Sequence, residues 1–362
     1  MPLKVAIVGC GKIADGHIEE IQKIPELAQV TAVCDLELLM AEQVAVRYGI
    51  PSHYDNFERL LERERPDVVH ITTPPQSHLS LAMTAMDAGA HVYVEKPLTM
   101  SYEDSQRLVA YAEKANKKLT IGYSYLFDPP ALAMRELIAK GALGEPVHVE
   151  SFYGYNLSGP FGAAILGDAR HWVHRLPGKL LHNNIDHLLY KVTEFLDDER
   201  PTIIARGAVR RKERFGDERD EMVDELRLMI LGERTTVHGL FSSHIKPAGH
   251  LARVYGTKNT INVDYVARTV TLEAMATLPS ALGRLTPAFS QGAAYLREGT
   301  KNLSRFIKSD FHYFSGLNRL MTMYYESIRD GGPPPISTRD ILRIAWMMDE
   351  ICRQVPQHGR QA

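Results

Sequence analysis

Through the first 125 residues, short apolar runs alternate with longer stretches of helical periodicity. The apolar runs are Val5–Val8, Val30–Cys34, Val68–Thr72, His91–Val94 and Leu119–Gly122. They are rich in β-branched residues and lack polar alternation, as strands covered by helices on both faces do. Ala41–Tyr48, Phe57–Arg63, Leu79–Ala88 and Ser101–Ala115 read as helices. Gly49 and Gly89 stop two of them. Ser101 caps the last, with Asp104 three residues on in an acidic variant of the capping box. Alternation of this kind predicts an α/β, doubly wound parallel sheet of the Rossmann type. Its ligands bind at the carboxyl ends of the strands.

After that the period changes. Val147–Tyr155, Ile203–Val209, Met222–Leu231, Thr235–Ser243, Leu251–Tyr255, Thr260–Val263 and Thr269–Leu272 are strand-like. Several alternate apolar with polar, so an α+β domain with a large, mostly antiparallel open sheet is expected. Arg210–Asp220 is charge-rich and reads as a solvated loop. A single helix is expected from about Lys179 to Val192, and a last one over Thr338–Gln354. The expected division is a nucleotide-binding domain over 1–125, a substrate and oligomerisation domain over 126–335 with a helical insert at about 275–315, and a C-terminal helical segment over 336–362. The open sheet predicts a homodimer or homotetramer formed face to face.

The first strand leads into Gly9-Cys10-Gly11-Lys12-Ile13-Ala14, which has the G-x-G-x-x-G/A spacing. Gly9 permits a tight turn, Gly11 lets a pyrophosphate approach the backbone, and Ala14 lets the helix pack closely on the strand. The helix start, with Lys12 and Ile13, offers N–H groups to an anion. Asp35 closes the second strand, where a carboxylate suits the ribose 2′-OH of NAD. Leu36 follows it, with no Arg to hold the 2′-phosphate of NADP, so NAD is the expected cofactor. Two more turns lie at strand ends: Thr72-Thr73-Pro74-Pro75-Gln76-Ser77-His78 and Glu95-Lys96-Pro97.

Composition narrows the class without changing the picture. The chain has 362 residues, 44% hydrophobic and 24% charged, with a formal net charge of −2. That is ordinary for a globular protein and gives no reason to expect nucleic acid as a partner. Cys10, Cys34 and Cys352 show no metal-ligand spacing, as expected in a reducing cytoplasm. The first strand starts almost at once, so no signal peptide is expected. No apolar run approaches the roughly 20 residues of a membrane span.

VAIVGCGKIA, the Asp35 position, TPPQSH and AGAHVYVEKPLT together resemble the Gfo/Idh/MocA family of sugar and polyol oxidoreductases. Further similarity lies at Phe127-Asp128-Pro129, Gly141–Glu145, Ile328–Gly331, Pro335 and Ser337. The resemblance implies hydride transfer between a nicotinamide and a secondary hydroxyl of a sugar, nucleotide sugar or cyclic polyol. It implies cofactor contacts at Gly9, Gly11, Lys12, Ile13, Ala14, Asp35, Thr73, Pro74, His78, Glu95 and Lys96. It also implies that Lys96 touches the reacting hydroxyl and that the last helix packs back near the nucleotide domain.

The family carries an Asp and a His four residues apart on a helix, read here onto Asn183 and His187. His187 is then the expected general base, since imidazole titrates near neutrality. Asn183 cannot ionise, so it can orient the ring or the substrate but not support its charge. Tyr123, Tyr125, Trp172 and Lys179 complete the expected substrate-binding set with Lys96, Asn183 and His187. The paired arginines that many relatives carry after the Gly122 strand are replaced by Tyr123–Phe127. The histidines around Trp172 lack a trusted metal spacing, so no metal is expected.

Two other readings remain open at this point: a redox-neutral sugar-modifying enzyme with tightly bound NAD, and a nucleotide-binding protein without chemistry. The stretch 274–309 carries Arg284, Arg297, Lys301, Arg305 and Lys308 against one acid, Glu298. Pro279, Pro287 and Gly292 are expected to cut it into short pieces, with a basic helix from about Ala294 to Ile307. Such a helix suits a lid or oligomer arm before an anionic membrane surface.

Overall fold

The structure is a computed structural model that describes residues 1–168, 170–210, 222–274, 280–308, 311 and 314–355. It divides into two compact units. In the first, β1 (Leu3–Val8), β2 (Ala28–Cys34), β3 (Ser52–Tyr54), β4 (Val68–Ile71), β5 (His91–Val94) and β6 (Leu119–Ile121) form one sheet. All its pairs are parallel, in the order β3-β2-β1-β4-β5-β6. That is the dinucleotide-binding order, with its topological switch beside β1. The intervening helices are α1 (Lys12–Gln22), α2 (Leu38–Tyr48), α3 (Phe57–Glu64), α4 (His78–Asp87) and α5 (Tyr102–Lys114).

The apolar runs sit where their composition requires. Val5, Ala6, Ile7, Val68, Val69 and Val92 have no exposed surface. Ser101 Oγ accepts the Asp104 N–H at 3.1 Å, so the predicted cap of α5 forms. The edge strand β3 was not expected, since Ser-His-Tyr carries no apolar run to signal it.

The second unit begins at Tyr125. Its helices are α6 (Pro129–Ala139), α7 (Pro160–Gly167), α8 (Lys179–Asn184), α9 (Asp186–Thr193) and α10 (Ser280–Ile307). Its strands are β7 (Pro146–Asn156), β8 (Thr202–Ala208), β9 (Glu225–Leu231), β10 (Thr236–Ser242), β11 (His244–Gly256), β12 (Asn259–Asp264) and β13 (Thr269–Ala274). They form one sheet in the order β13-β12-β11-β7-β10-β9-β8. Only the β7–β10 pair is parallel. The sheet is therefore mostly antiparallel, as its alternation predicts. Helix α9 lies on β7, with Ser151 Oγ donating to the Leu188 carbonyl at 2.9 Å.

Two helix expectations are corrected. The stretch 179–192 is two helices, α8 and α9, meeting at Ile185. The stretch after residue 280 is one helix of 28 residues with Pro287 inside it. A single interior proline removes one intrahelical hydrogen bond, at a cost of about 3 kcal/mol. The Ala, Leu, Gln and Arg residues around it favour helix and carry the segment through. Residues 275–279, with Pro279, and 211–221 of the charge-rich connection lie outside the described residues.

The chain rejoins the first unit in α11 (Ser315–Asp330). Tyr324 Oη there donates to the Val92 and Lys118 carbonyls at 2.8 Å, and Asn318 donates to the Glu20 carbonyl at 3.1 Å. Residues Gly316–Trp346 cluster with this unit. Helix α12 (Thr338–Gln354) thus belongs to the first unit up to Trp346 and to the second from Met347. Among the described residues no helix is long and apolar enough to cross a membrane.

Candidate active site

In the first unit the candidate residues gather at the carboxyl ends of β1, β2, β4 and β5. Gly9 has φ +97°, and a Cβ there would lie 2.8 Å from the Thr73 amide nitrogen, so only glycine fits the turn. Thr72 Oγ1 donates to the Gly9 carbonyl at 2.7 Å and ties this turn to the end of β4. At Gly11 an added Cβ would meet nothing within 4 Å, which leaves an open cradle over the start of α1. No side chain caps α1, so its first N–H groups are available to an anion. Lys12 is exposed, Ile13 half-buried and Ala14 buried beneath them.

Asp35 is held from both sides. Its Oδ2 accepts the Cys10 N–H at 2.7 Å, and its Oδ1 accepts the Glu37 N–H at 3.0 Å. Each oxygen keeps a lone pair for a ribose hydroxyl. Leu36 beside it is 93% exposed. Burial first, and then the Asp35 charge, pushes the Cys10 thiol up to about 12, so this cysteine is not a nucleophile at neutral pH.

Lys96 is half-buried at the end of β5, and its backbone N–H donates to Glu95 Oε2 at 3.1 Å. Glu95 Oε1 lies 2.9 Å from His17 Nε2. Burial raises the Glu95 carboxyl, but the bond to His17 and the charges of His17 and Lys96 outweigh it and hold it below the usual range. A Cβ at Gly122 would lie 2.7 Å from Glu95 Oε1, so glycine there makes room for the carboxylate. Behind Glu95, His17 Nδ1 meets His70 Nδ1 at 2.9 Å, and His70 Nε2 meets Tyr325 Oη at 2.8 Å. Tyr93 stacks on His70 with ring centroids 4.5 Å apart.

Thr73 Oγ1 and Ser77 Oγ are 2.7 Å apart, and Pro74 is exposed. His78 lies fully in the interior. Its Nε2 is 2.8 Å from the Thr73 carbonyl, and its Nδ1 is 3.0 Å from that of Pro97. The ring therefore braces the two strand-end turns against each other. Tyr123, 2% exposed, is also an interior residue of this unit.

In the second unit His187 is half-buried near the start of α9, with its N–H donating to Asp186 Oδ1 at 2.8 Å. Its Nδ1 lies 2.8 Å from Tyr190 Oη. Aromatic rings surround it: Tyr153 at 4.7 Å, Tyr125 at 5.7 Å and His250 at 5.9 Å between centroids. His250 and Tyr153 are register partners on β11 and β7, so both point to the same face of the sheet. Burial, then the Lys191 charge, pushes the His250 imidazole well below its usual range. Lys191 is itself buried and donates to the Phe152 and Leu251 carbonyls at 3.0 and 2.9 Å. Burial drives its ammonium well below its usual range. Asn183 is buried in α8, while Trp172 and Lys179 are half-buried.

Sequence reasoning missed His17, His70, Tyr93 and Tyr325 behind Glu95, and Tyr153 and His250 around His187. His70 had a signal, as the one ionisable residue inside the apolar run of β4. Tyr153 and His250 are set together by the register of two strands far apart in sequence.

Comparison with known proteins bears on this geometry. Residues 3–123 match the model of an oxidoreductase family with an NAD-binding Rossmann fold, GFO_IDH_MocA. The chain is 33% identical over 144 residues to D-glucoside 3-dehydrogenase of Escherichia coli, covering 40% of this chain and 41% of that protein. It is 30% identical over 160 residues to inositol 2-dehydrogenase of Salmonella typhimurium, covering 44% and 47%. The matched part thus spans less than half the length of these curated relatives. Levoglucosan dehydrogenase, solved with NADH and levoglucosan, shares the fold with a TM-score of 0.80 over 98% of this chain and 97% of that one, at 16% identity. The open glycine cradle and the twice-held Asp35 both lie within residues 3–123, the part of the chain that matches the Gfo/Idh/MocA model of oxidoreductases with an NAD-binding Rossmann fold.

Proposed function

We propose that the protein is an NAD-dependent dehydrogenase that transfers a hydride between nicotinamide and a secondary hydroxyl of a sugar, nucleotide sugar or cyclic polyol. The observation that carries this reading is the grip on Asp35, whose two oxygens are fixed by the Cys10 and Glu37 N–H groups beside the open cradle at Gly11. Gly9, Gly11, Lys12, Ile13 and Ala14 would hold the pyrophosphate, and Asp35 the adenosine ribose. Thr73, Pro74, Glu95 and Lys96 would line the path toward the nicotinamide, with His78 bracing their turns. The Asp35 carboxylate and the neutral Leu36 favour NAD over NADP.

Bound NAD supplies the hydride acceptor. The Lys96 ammonium donates to the substrate oxygen and steadies the negative charge that develops there. His187 takes the hydroxyl proton at Nε2. With Nδ1–H donated to the Tyr190 oxygen, that nitrogen is left as the acceptor. Tyr125, Trp172, Lys179 and Asn183 are assigned to the substrate, the aromatic rings offering apolar faces to its C–H surfaces. The test is formation of reduced nicotinamide by the purified chain with NAD against free sugars, nucleotide sugars and inositols. Absence of NAD binding in a calorimetric titration would overturn the reading.

A further inference from the structure

Helix α10 is amphipathic in the unexpected sense. Its polar side faces its own unit: Glu298 is buried and accepts the Val270 N–H at 3.3 Å, and Asn302 donates to the Ala267 carbonyl at 2.9 Å. Its apolar side faces outward. Phe289, Leu296 and Leu303 follow one another at seven-residue spacing and are 72%, 75% and 58% exposed. Leu285, Gly292, Gly299 and Phe306 form a second line at the same spacing, offset by four and three residues from the first. This is a heptad seam, with the positions between its two lines alternating by three and four. The basic residues Arg297, Lys301, Arg305 and Lys308 all fall off it, and no charged residue from Leu285 to Ile307 occupies the seam or the positions flanking it.

An isolated apolar line on a helix of about 42 Å has few explanations. With Tyr295 and Ile307 beside it, the seam leaves on the order of 900 Å² of apolar surface uncovered. The largest patch on an ordinary monomer is about 300–600 Å². A stable interface covers about 800 Å² on each partner. The seam is also self-complementary in one arrangement. Two copies running antiparallel about a two-fold axis between residues 297 and 298 place Leu296 over the partner's Gly299, Leu303 over the partner's Gly292, and Phe289 over the partner's Phe306. A Cβ added at Gly292 or Gly299 meets nothing within 4 Å, so both notches are open. The same arrangement sets the basic end of each helix beside the nearly uncharged first half of the other, avoiding like-charge contact.

We propose that α10 is a self-association surface on which a second copy of this chain packs antiparallel through the Phe289–Leu296–Leu303 line. The experiment uses the full chain in sedimentation equilibrium. The wild type should associate, and Leu296→Glu with Leu303→Glu should halve the mass of the associated species while leaving the circular dichroism unchanged. Mixed Leu296→Cys and Gly299→Cys chains should form a cross-linked dimer on oxidation in far greater yield than either variant alone. A wild type that stays monomeric, an unchanged mass in the Glu variant, or no cross-link in the mixture would each overturn the proposal. So would a monomer that floats with phosphatidylserine vesicles through the same residues, since the seam would then be a lipid-facing surface.

Discussion

His17 Nε2 meets Glu95 Oε1 at 2.9 Å, while the other oxygen of Glu95 accepts the backbone N–H of Lys96. One half-buried carboxylate therefore ties α1 to the turn that carries the proposed catalytic lysine. Removing the imidazole leaves that carboxylate short of a partner, which costs about 1–3 kcal/mol. His17→Ala should lower the unfolding free energy by that amount and reduce kcat through a loosened Lys96 turn. Guanidinium titration and steady-state kinetics read the two effects, and unchanged stability would show that Glu95 does not depend on His17.

Asp35 holds two backbone N–H groups beside its proposed ribose contact, and its variants should separate the two. Asp35→Ser with Leu36→Arg should shift preference from NAD toward NADP, read by fluorescence titration with each reduced cofactor. Because Asp35 also accepts the Cys10 and Glu37 N–H groups, Asp35→Ala should weaken both cofactors. Tighter binding of NADPH than NADH by the wild type would contradict the assignment.

Lys96→Ala and His187→Ala should each lower turnover by about a hundredfold or more, the scale of a lost acid–base or charge-stabilising group. Tyr190→Phe removes the partner of His187 Nδ1 and keeps the ring packing. It should lower kcat less, by roughly tenfold, and displace the acidic limb of the pH–rate profile. A near-normal kcat in His187→Ala across roughly pH 6 to 9 would remove it as the base.

The sheet of the first unit and its glycine turn were legible because each rests on local rules: apolar runs of strand length, a glycine forced to φ +97°, an acid at the next strand end. The mostly antiparallel sheet followed from alternation. What could not be read depends on partners distant in sequence. Pattern alone does not pair His17 with Glu95 across 78 residues, or Tyr153 with His250 across the β7–β11 register. The join at Ile185 escaped because Leu181, Ile185, Leu188 and Val192 keep one apolar face through it. Helix α10 escaped because Pro287 and Gly292 outweighed, on paper, the helix formers around them.

Stability should fall on the acid side of neutrality. Burial, reinforced at His70 by the His17 charge, pushes the His70 and His78 imidazoles below their ordinary range, although backbone carbonyls partly offset this at His78. Unfolded, both take up a proton near pH 6.5. Between that pH and their folded values the unfolded chain binds more protons, so stability is full above about 6.5 and is lost as pH falls, at up to about 1.4 kcal/mol per pH unit for each. Glu95, held below its usual range, adds a loss in the same direction as pH falls from its unfolded value through its folded one. Guanidinium titrations from about pH 8 to pH 5 should show the decline setting in near 6.5. A flat profile would mean that these histidines are not buried neutral.

The basic residues of α10 do not act as one stripe. Lys301 Nζ is 2.5 Å from the buried Glu298 carboxylate, which also accepts the Val270 N–H on β13. Its charge is committed to docking the helix, whereas Arg297 is exposed and Arg305 half-buried. If the stretch recruits an anionic substrate, Arg297→Gln with Arg305→Gln should raise KM and flatten its salt dependence. Lys301→Gln should instead leave KM nearly unchanged and lower stability by about 1–3 kcal/mol, because the buried carboxylate loses its charged partner. A loss of stability in the arginine pair with no change in KM would reverse the assignment, placing the docking charge on the arginines.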